Sequence, residues 1–202
     1  MKKITLSIVA VLAFGFANAQ EVKFGVKGGI NLSTLTGDVE DASSKVGFQV
    51  GGFAEIKLTE KFSIQPELLY SLQGDKEEVK ELGFNNESTL NLSYLNIPVM
   101  AKYYVAEKFS LEAGPQIGFL LSAKDDTKVT MGGESSSEKI NVKDDYKSID
   151  FGVNFGAGYD FTENLSAGLR YNLGLSNIAE TVEGESYKVK NSVFSLSVGY
   201  KF

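Results

Sequence analysis

The chain has 202 residues, with 21 Gly, 3 Pro, no Cys, no His and a formal net charge of −6; that length suits a single domain. Without Cys there is no disulfide, thiolate nucleophile or lipid-anchored N-terminal cysteine, and without His every His-dependent triad and His-ligated metal site is excluded. The acidic balance argues against nucleic acid as a partner, because no basic patch exists to neutralise phosphates.

Met1-Lys2-Lys3 makes a positive start, Ile4 to Phe16 is a nearly unbroken apolar run, and Ala17-Asn18-Ala19 supplies small residues at −3 and −1. This is the pattern of a cleaved secretory signal. Residues 1–19 are therefore expected to be a leader and residues 20–202 the mature domain. The run is too short for a bilayer core of roughly 30 Å, and no other apolar run approaches the roughly 18 residues of a spanning helix. Removing Lys2 and Lys3 leaves 20 − 2 = 18 basic residues against 26 acidic ones, a mature charge near −8.

From Val22 onward the dominant period is two. Outward-phase sets begin with Phe24, Val26, Ile30 and Leu32, continue with Val46, Phe48 and Val50, and recur down to Phe194, Leu196, Val198, Tyr200 and Phe202. Eight such segments are present, each meeting the 9–11 residues or so that a tilted strand needs to cross a membrane. Three connections are tight and alike: Thr59-Glu60-Lys61-Phe62-Ser63, Ala106-Glu107-Lys108-Phe109-Ser110 and Thr162-Glu163-Asn164-Leu165-Ser166. The other four are long and polar, at about 33–45, 73–89, 124–147 and 176–190. Short turns on one rim and long loops on the other define an eight-stranded antiparallel up-and-down transmembrane β-barrel with both termini at the periplasmic rim. Pro66, Pro98 and Pro115 lie inside strands, where a missing N–H predicts bulges. The apolar phase also slips from Leu90 and Leu92 to Leu95 and Ile97, which predicts an extra residue near Ser93-Tyr94.

A soluble barrel would share this alternation with the opposite sense. The minor face is small or uncharged (Gly47, Gly51, Gly114, Gly118, Gly152, Asn154, Asn172, Ser110), which suits an eight-strand interior only just wide enough for side chains. Phe62, Tyr103, Phe109, Tyr159 and Tyr200 gather near the short turns, as interfacial girdles do. The chain ends on outward-phase Phe202, and Tyr200 with Phe202 forms a C-terminal signal for the barrel-assembly machinery. All three features put lipid outside.

Inward-phase charges are few: Glu55, Glu67, Lys102, Glu112, Asp150 and Arg170. Five of them stand five to seven residues from a short-turn Glu, so they share a height, with Arg170 reaching towards Glu67 or Glu112. They read as a structural ion-pair network filling the lumen, since unpaired charge there would be costly. The alternative, a selectivity ring or acid–base pair, lacks an accompanying nucleophile, and no catalytic residue, cofactor or metal site is expected. Loop clusters such as Asp75-Lys76-Glu77-Glu78 and Lys124-Asp125-Asp126 read as solvated charge.

The segments Gly47-Phe48-Gln49-Val50-Gly51, Gln65-Pro66-Glu67-Leu68-Leu69-Tyr70, Ser93-Tyr94-Leu95-Asn96-Ile97-Pro98, Gly114-Pro115-Gln116, Arg170-Tyr171-Asn172-Leu173-Gly174 and Gly199-Tyr200-Lys201-Phe202 resemble the PorT-like outer-membrane β-barrel proteins of Bacteroidota, often labelled porin family proteins. The resemblance spans the mature chain and implies the outer membrane as location. It implies little about activity: its eponymous member is associated with protein secretion. The expected role is a non-enzymatic structural or interaction barrel whose loops meet lipopolysaccharide or a surface or secretion-system protein. A narrow porin-like channel or transporter for small solutes, or a barrel component of a secretion system, is the alternative.

Overall fold

The computed structural model describes residues 21–39, 43–81, 84–180 and 187–202, so the expected leader lies outside the described residues. The described residues form nine strands in order: β1 (Val22–Gly37), β2 (Ser43–Lys57), β3 (Phe62–Glu81), β4 (Phe84–Ala106), β5 (Phe109–Met131), β6 (Glu134–Asn141), β7 (Ile149–Asp160), β8 (Leu165–Gly174) and β9 (Val189–Lys201). All pairings are antiparallel. Eight strands close a ring, β1-β2-β3-β4-β5-β7-β8-β9 and back to β1, while β6 pairs with the far end of β5 alone. Closure leaves no free edge in the membrane, where an unpaired backbone group would be costly.

The apolar phase faces out. Phe24, Val26, Ile30, Val46, Phe48, Leu68, Phe151, Leu169, Leu196 and Val198 are all exposed large hydrophobics, a surface that only lipid can solvate favourably. Phe62 pairs with Tyr103, Phe109 with Tyr159 and Leu165 with Tyr200, which sets an aromatic ring at the short-turn rim. The short turns hold themselves. Leu58 and Thr59 N–H donate to the Phe62 carbonyl, and Phe161 and Thr162 N–H donate to Leu165. The Thr59 hydroxyl accepts from Lys61 N–H, and the Thr162 hydroxyl from Leu165 N–H.

Three expectations need correction. No bulge forms at the prolines: register runs through Pro66↔Val99, Pro98↔Gln116 and Pro115↔Val153 without a shift. The ladder merely thins, resuming at Leu69↔Asn96 and Ala101↔Ala113 at equal spacing on both strands. Nor does β4 slip. Leu90, Leu92, Tyr94, Asn96, Pro98, Met100 and Lys102 all face the interior in one phase; the inner face changes from apolar to polar along the strand. The shift at Ser93/Tyr94 comes from β5, where Leu121 is the extra residue between Ser122↔Ser93 and Leu120↔Tyr94. Finally, two expected loops are largely strand. The β3–β4 ladder continues to Glu81↔Phe84 and the β5–β6 hairpin fills most of 124–141. Both faces of these ladders meet water or the open mouth, so no apolar alternation marks them in the sequence.

Close strand approach requires glycine at Gly51 and Gly114. A Cβ there would sit 1.9 Å from the Leu68 carbonyl oxygen and 2.0 Å from that of Val99. Gly114→Val is therefore expected to prevent barrel closure, read as loss of the heat-modifiable gel species that the wild-type chain gives.

Candidate functional site

Below mid-barrel the inward phases of all eight ring strands converge on one cluster of charge. The Arg170 guanidinium grips Glu67 with both terminal nitrogens, at 2.9 Å each, and Nη2 also donates to Glu112 at 3.1 Å. Lys27 Nζ donates to Glu67 at 2.8 Å. Lys102 bridges Glu112 at 3.6 Å and Glu55 at 3.4 Å. Lys201 joins Glu55 at 3.2 Å to Asp160 at 3.1 Å, and the Tyr104 hydroxyl donates to Glu55 at 2.7 Å. The Glu67 side chain has no solvent exposure at all. Such groups must be paired, since an isolated buried charge costs several kcal/mol (about 3–5 when one partner is removed).

Glu55, Glu67, Lys102, Glu112 and Arg170 thus meet, through the register Lys102↔Glu112↔Gly156↔Arg170. Asp150 does not join them. It lies on β7 opposite Gly118, six residues from the Gly156 level, roughly 20 Å at the usual strand rise. There it accepts from the Ser176 hydroxyl at 2.7 Å and the Asn191 amide at 2.8 Å, both neutral. Four members escape sequence reasoning: Lys27, Tyr104, Asp160 and Lys201. Their phase carries the signal. Lys27 alternates with Val26, Asp160 continues Gly156 and Gly158, and Lys201 stands between the outward aromatics Tyr200 and Phe202.

The space on either side differs in character. On the periplasmic side a vestibule of about 1040 Å³ reaches inward to Glu55, Tyr104, Asp160 and Lys201. Within the charge cluster, beside Lys102, Glu112 and Arg170, a void of only about 20 Å³ remains, room for one water. Towards the outer mouth an apolar cluster takes over: Leu35, Leu90, Leu92, Tyr94, Leu120, Ala123, Ile178, Ala179 and Val189. Among the described residues no cluster of His, Cys, Asp or Glu has metal-ligand geometry.

Beyond the apolar belt, whose outer edge includes Leu32, Leu72, Leu121 and Phe194, β3, β4, β5 and β6 project as a four-stranded sheet. Asp75, just past Leu72, is 3% exposed. Burial, with Glu77 and Asp125 nearby, pushes its carboxyl up to about 6. A carboxyl raised above its unfolded value binds its proton more tightly in the folded state. The barrel is thus expected to gain stability as pH falls through about 6 towards 4, on the order of 3 kcal/mol. Urea-unfolding midpoints at pH 7.5 and 4.5 check this, and Asp75→Asn should abolish the difference.

A closed eight-strand ring with an apolar exterior and a charged interior defines a small outer-membrane barrel. The family model "Outer membrane protein beta-barrel domain" matches residues 16–180, and the chain belongs to that family. Among solved structures, Neisserial surface protein A is 17% identical, with 90% of this chain and 99% of that chain covered and a TM-score of 0.54. The attachment invasion locus protein Ail of Yersinia pestis is 14% identical, with 90% and 99% covered and a TM-score of 0.49. No curated protein matches the chain.

Proposed function

We propose that the protein is a PorT-like barrel of the Bacteroidota outer membrane, exported by a leader at residues 1–19. It acts as a structural or interaction protein through the elements above its belt, with a lumen closed to solutes and no enzymatic chemistry. One observation carries this reading: the interior is occupied across its width by the Lys27–Glu67–Arg170–Glu112–Lys102 cluster, beside which a void of only about 20 Å³ lies. The apolar cluster above adds a second, dry barrier. Lipopolysaccharide and a surface or secretion-system protein are the natural contacts of the projecting strands.

Planar-bilayer recordings of the purified protein test the closed lumen, with no steady conductance expected. The periplasmic vestibule favours the second reading, a narrow channel, and steady ohmic steps would establish it in place of the first. Tyr200 and Phe202 are proposed to present the assembly signal. Their rings stack edge to face at 5.6 Å between centroids, and Phe202 N–H donates to Phe24 across the closing seam. Phe202→Ser is expected to cut the folded outer-membrane fraction several-fold while leaving export intact, as read by fractionation and gel mobility.

A further inference from the structure

The pleat of the projecting sheet sorts charge by face. Paired residues share a face, and neighbours along a strand alternate. Asp75, Leu90, Asp125 and Ile140 form one row, and Glu77, Ser88, Thr127 and Glu138 the next. Near the tip Phe84, Met131 and Glu134 line up. These rows overlook the barrel mouth. Among the described residues of the four strands this face carries Asp75, Glu77, Asp125, Glu134 and Glu138 and no cation. The opposite face holds Lys76, Lys80, Lys128 and Lys139, with ion pairs Lys76–Glu87, Lys80–Glu78 and Lys139–Asp126. A surface serving solubility alone would intersperse both signs on each side.

At the foot of the acidic face lies a cavity of about 130 Å³, lined by Asp75, Glu77, Ser88, Leu90, Tyr146 and Tyr187 among others. It has room for several waters, or for one flexible aminobutyl group. Asp75 lines it at 3% exposure, and its carboxylate has no hydrogen bond or ion pair with another side chain among the described residues. Asp125, by contrast, accepts from the Ser88 hydroxyl. The nearby cation Lys45 lends Asp75 its field but no ion pair, its ammonium donating instead to the Gln73 carbonyl at 2.8 Å. A buried carboxylate held only by a backbone N–H and by the field of a lysine that bonds elsewhere still lacks a directly paired cation. The tyrosine rings and Leu90 suit an apolar stem behind that charge.

We propose that this face is a docking site for a lysine- or arginine-bearing segment of a partner protein, one cationic side chain of which enters the cavity over Asp75 while others meet Glu77, Glu134 and Glu138. Val79 and Val129, on the same face between the acidic rows, favour a segment with apolar residues among its cations over a bare ion. The inference rests on reading the barrel as an interaction protein. Steady conductance would overturn that reading; failed binding by a barrel silent in the bilayer overturns only the site.

The test uses the full mature chain in lipid nanodiscs with fluorescein-labelled hexalysine as probe. Saturable binding is expected, weakening as salt rises. Asp75→Asn and the exposed pair Glu77→Gln/Glu138→Gln should each weaken it at least tenfold, and Glu78→Gln/Glu87→Gln on the other face should leave it within twofold. Heat-modifiable mobility verifies that each variant is folded, and the exposed pair decides the matter should Asp75→Asn misfold. Absent or non-saturable binding overturns the proposal, as does equal loss from the opposite-face pair. Displacement by equimolar spermidine or magnesium chloride would assign the site to small cations and likewise overturn it.

Discussion

Replacing Arg170 with methionine is expected to destabilise the barrel by about 3–5 kcal/mol, because it strips the buried Glu67 and Glu112 of their shared partner. Glu67 then keeps Lys27 as its paired cation beside the neutral Gln65 amide, and Glu112 keeps only the longer contact to Lys102. Urea titration in lipid vesicles, read by gel mobility, measures the loss. The asymmetry between breaking and removing a buried pair sharpens the test. Combining Arg170→Met with Glu67→Gln should cost less than the sum of the two single changes, with a coupling of about 0.5–3 kcal/mol. Strict additivity would mean that the bidentate contact contributes nothing of its own.

Leu92→Ala is expected to cost about 2–5 kcal/mol, the range for deleting a fully buried leucine side chain whose surroundings cannot collapse. Leu92 has no exposure and sits in the outer apolar cluster with Tyr94 and Leu120. The change should not open the pore, since the charge cluster stands ten residues further along β4 at Lys102, roughly 33 Å by strand rise. At that separation Leu92→Ala and Arg170→Met should add within about 0.5 kcal/mol. A silent Leu92→Ala barrel in bilayer recordings would separate the two barriers, and conductance on this change alone would make the apolar cluster the sole gate.

The barrel was legible because its outer face is uniform: Phe24, Val26 and Ile30 on β1 and Phe194, Leu196 and Val198 on β9 alternate with residues of a different kind. Legibility failed where that contrast disappears. On β4 the inner face itself turns apolar at Leu90, Leu92 and Tyr94, so a strand of constant phase mimicked a slip. In Glu134–Asn141 every residue is exposed and no alternation exists to read. Five charges of the lumen cluster could be found by counting from the short turns, because equal distance from one rim means equal height. Asp150 could not be excluded in that way; only the register Gly118↔Asp150 shows how far it lies from the rest. The acidic mouth-facing surface was hidden for a similar reason. Asp75, Lys76, Glu77 and Glu78 are neighbours in the chain, and their division between two faces appears only once the segment is known to be strand.

Lys201 stands one residue from the end of the chain and is the countercharge shared by Glu55 and Asp160. It reaches them only when β9 settles against β1 in the register Gly25↔Lys201. The first and last strands therefore seal the ring and complete its electrostatics in the same event. Without β9 in place Glu55 keeps only Lys102 as a paired cation and Asp160 loses its ion pair, so closure is rewarded by both contacts. Sealing the ring and neutralising these two carboxylates are therefore a single energetic step.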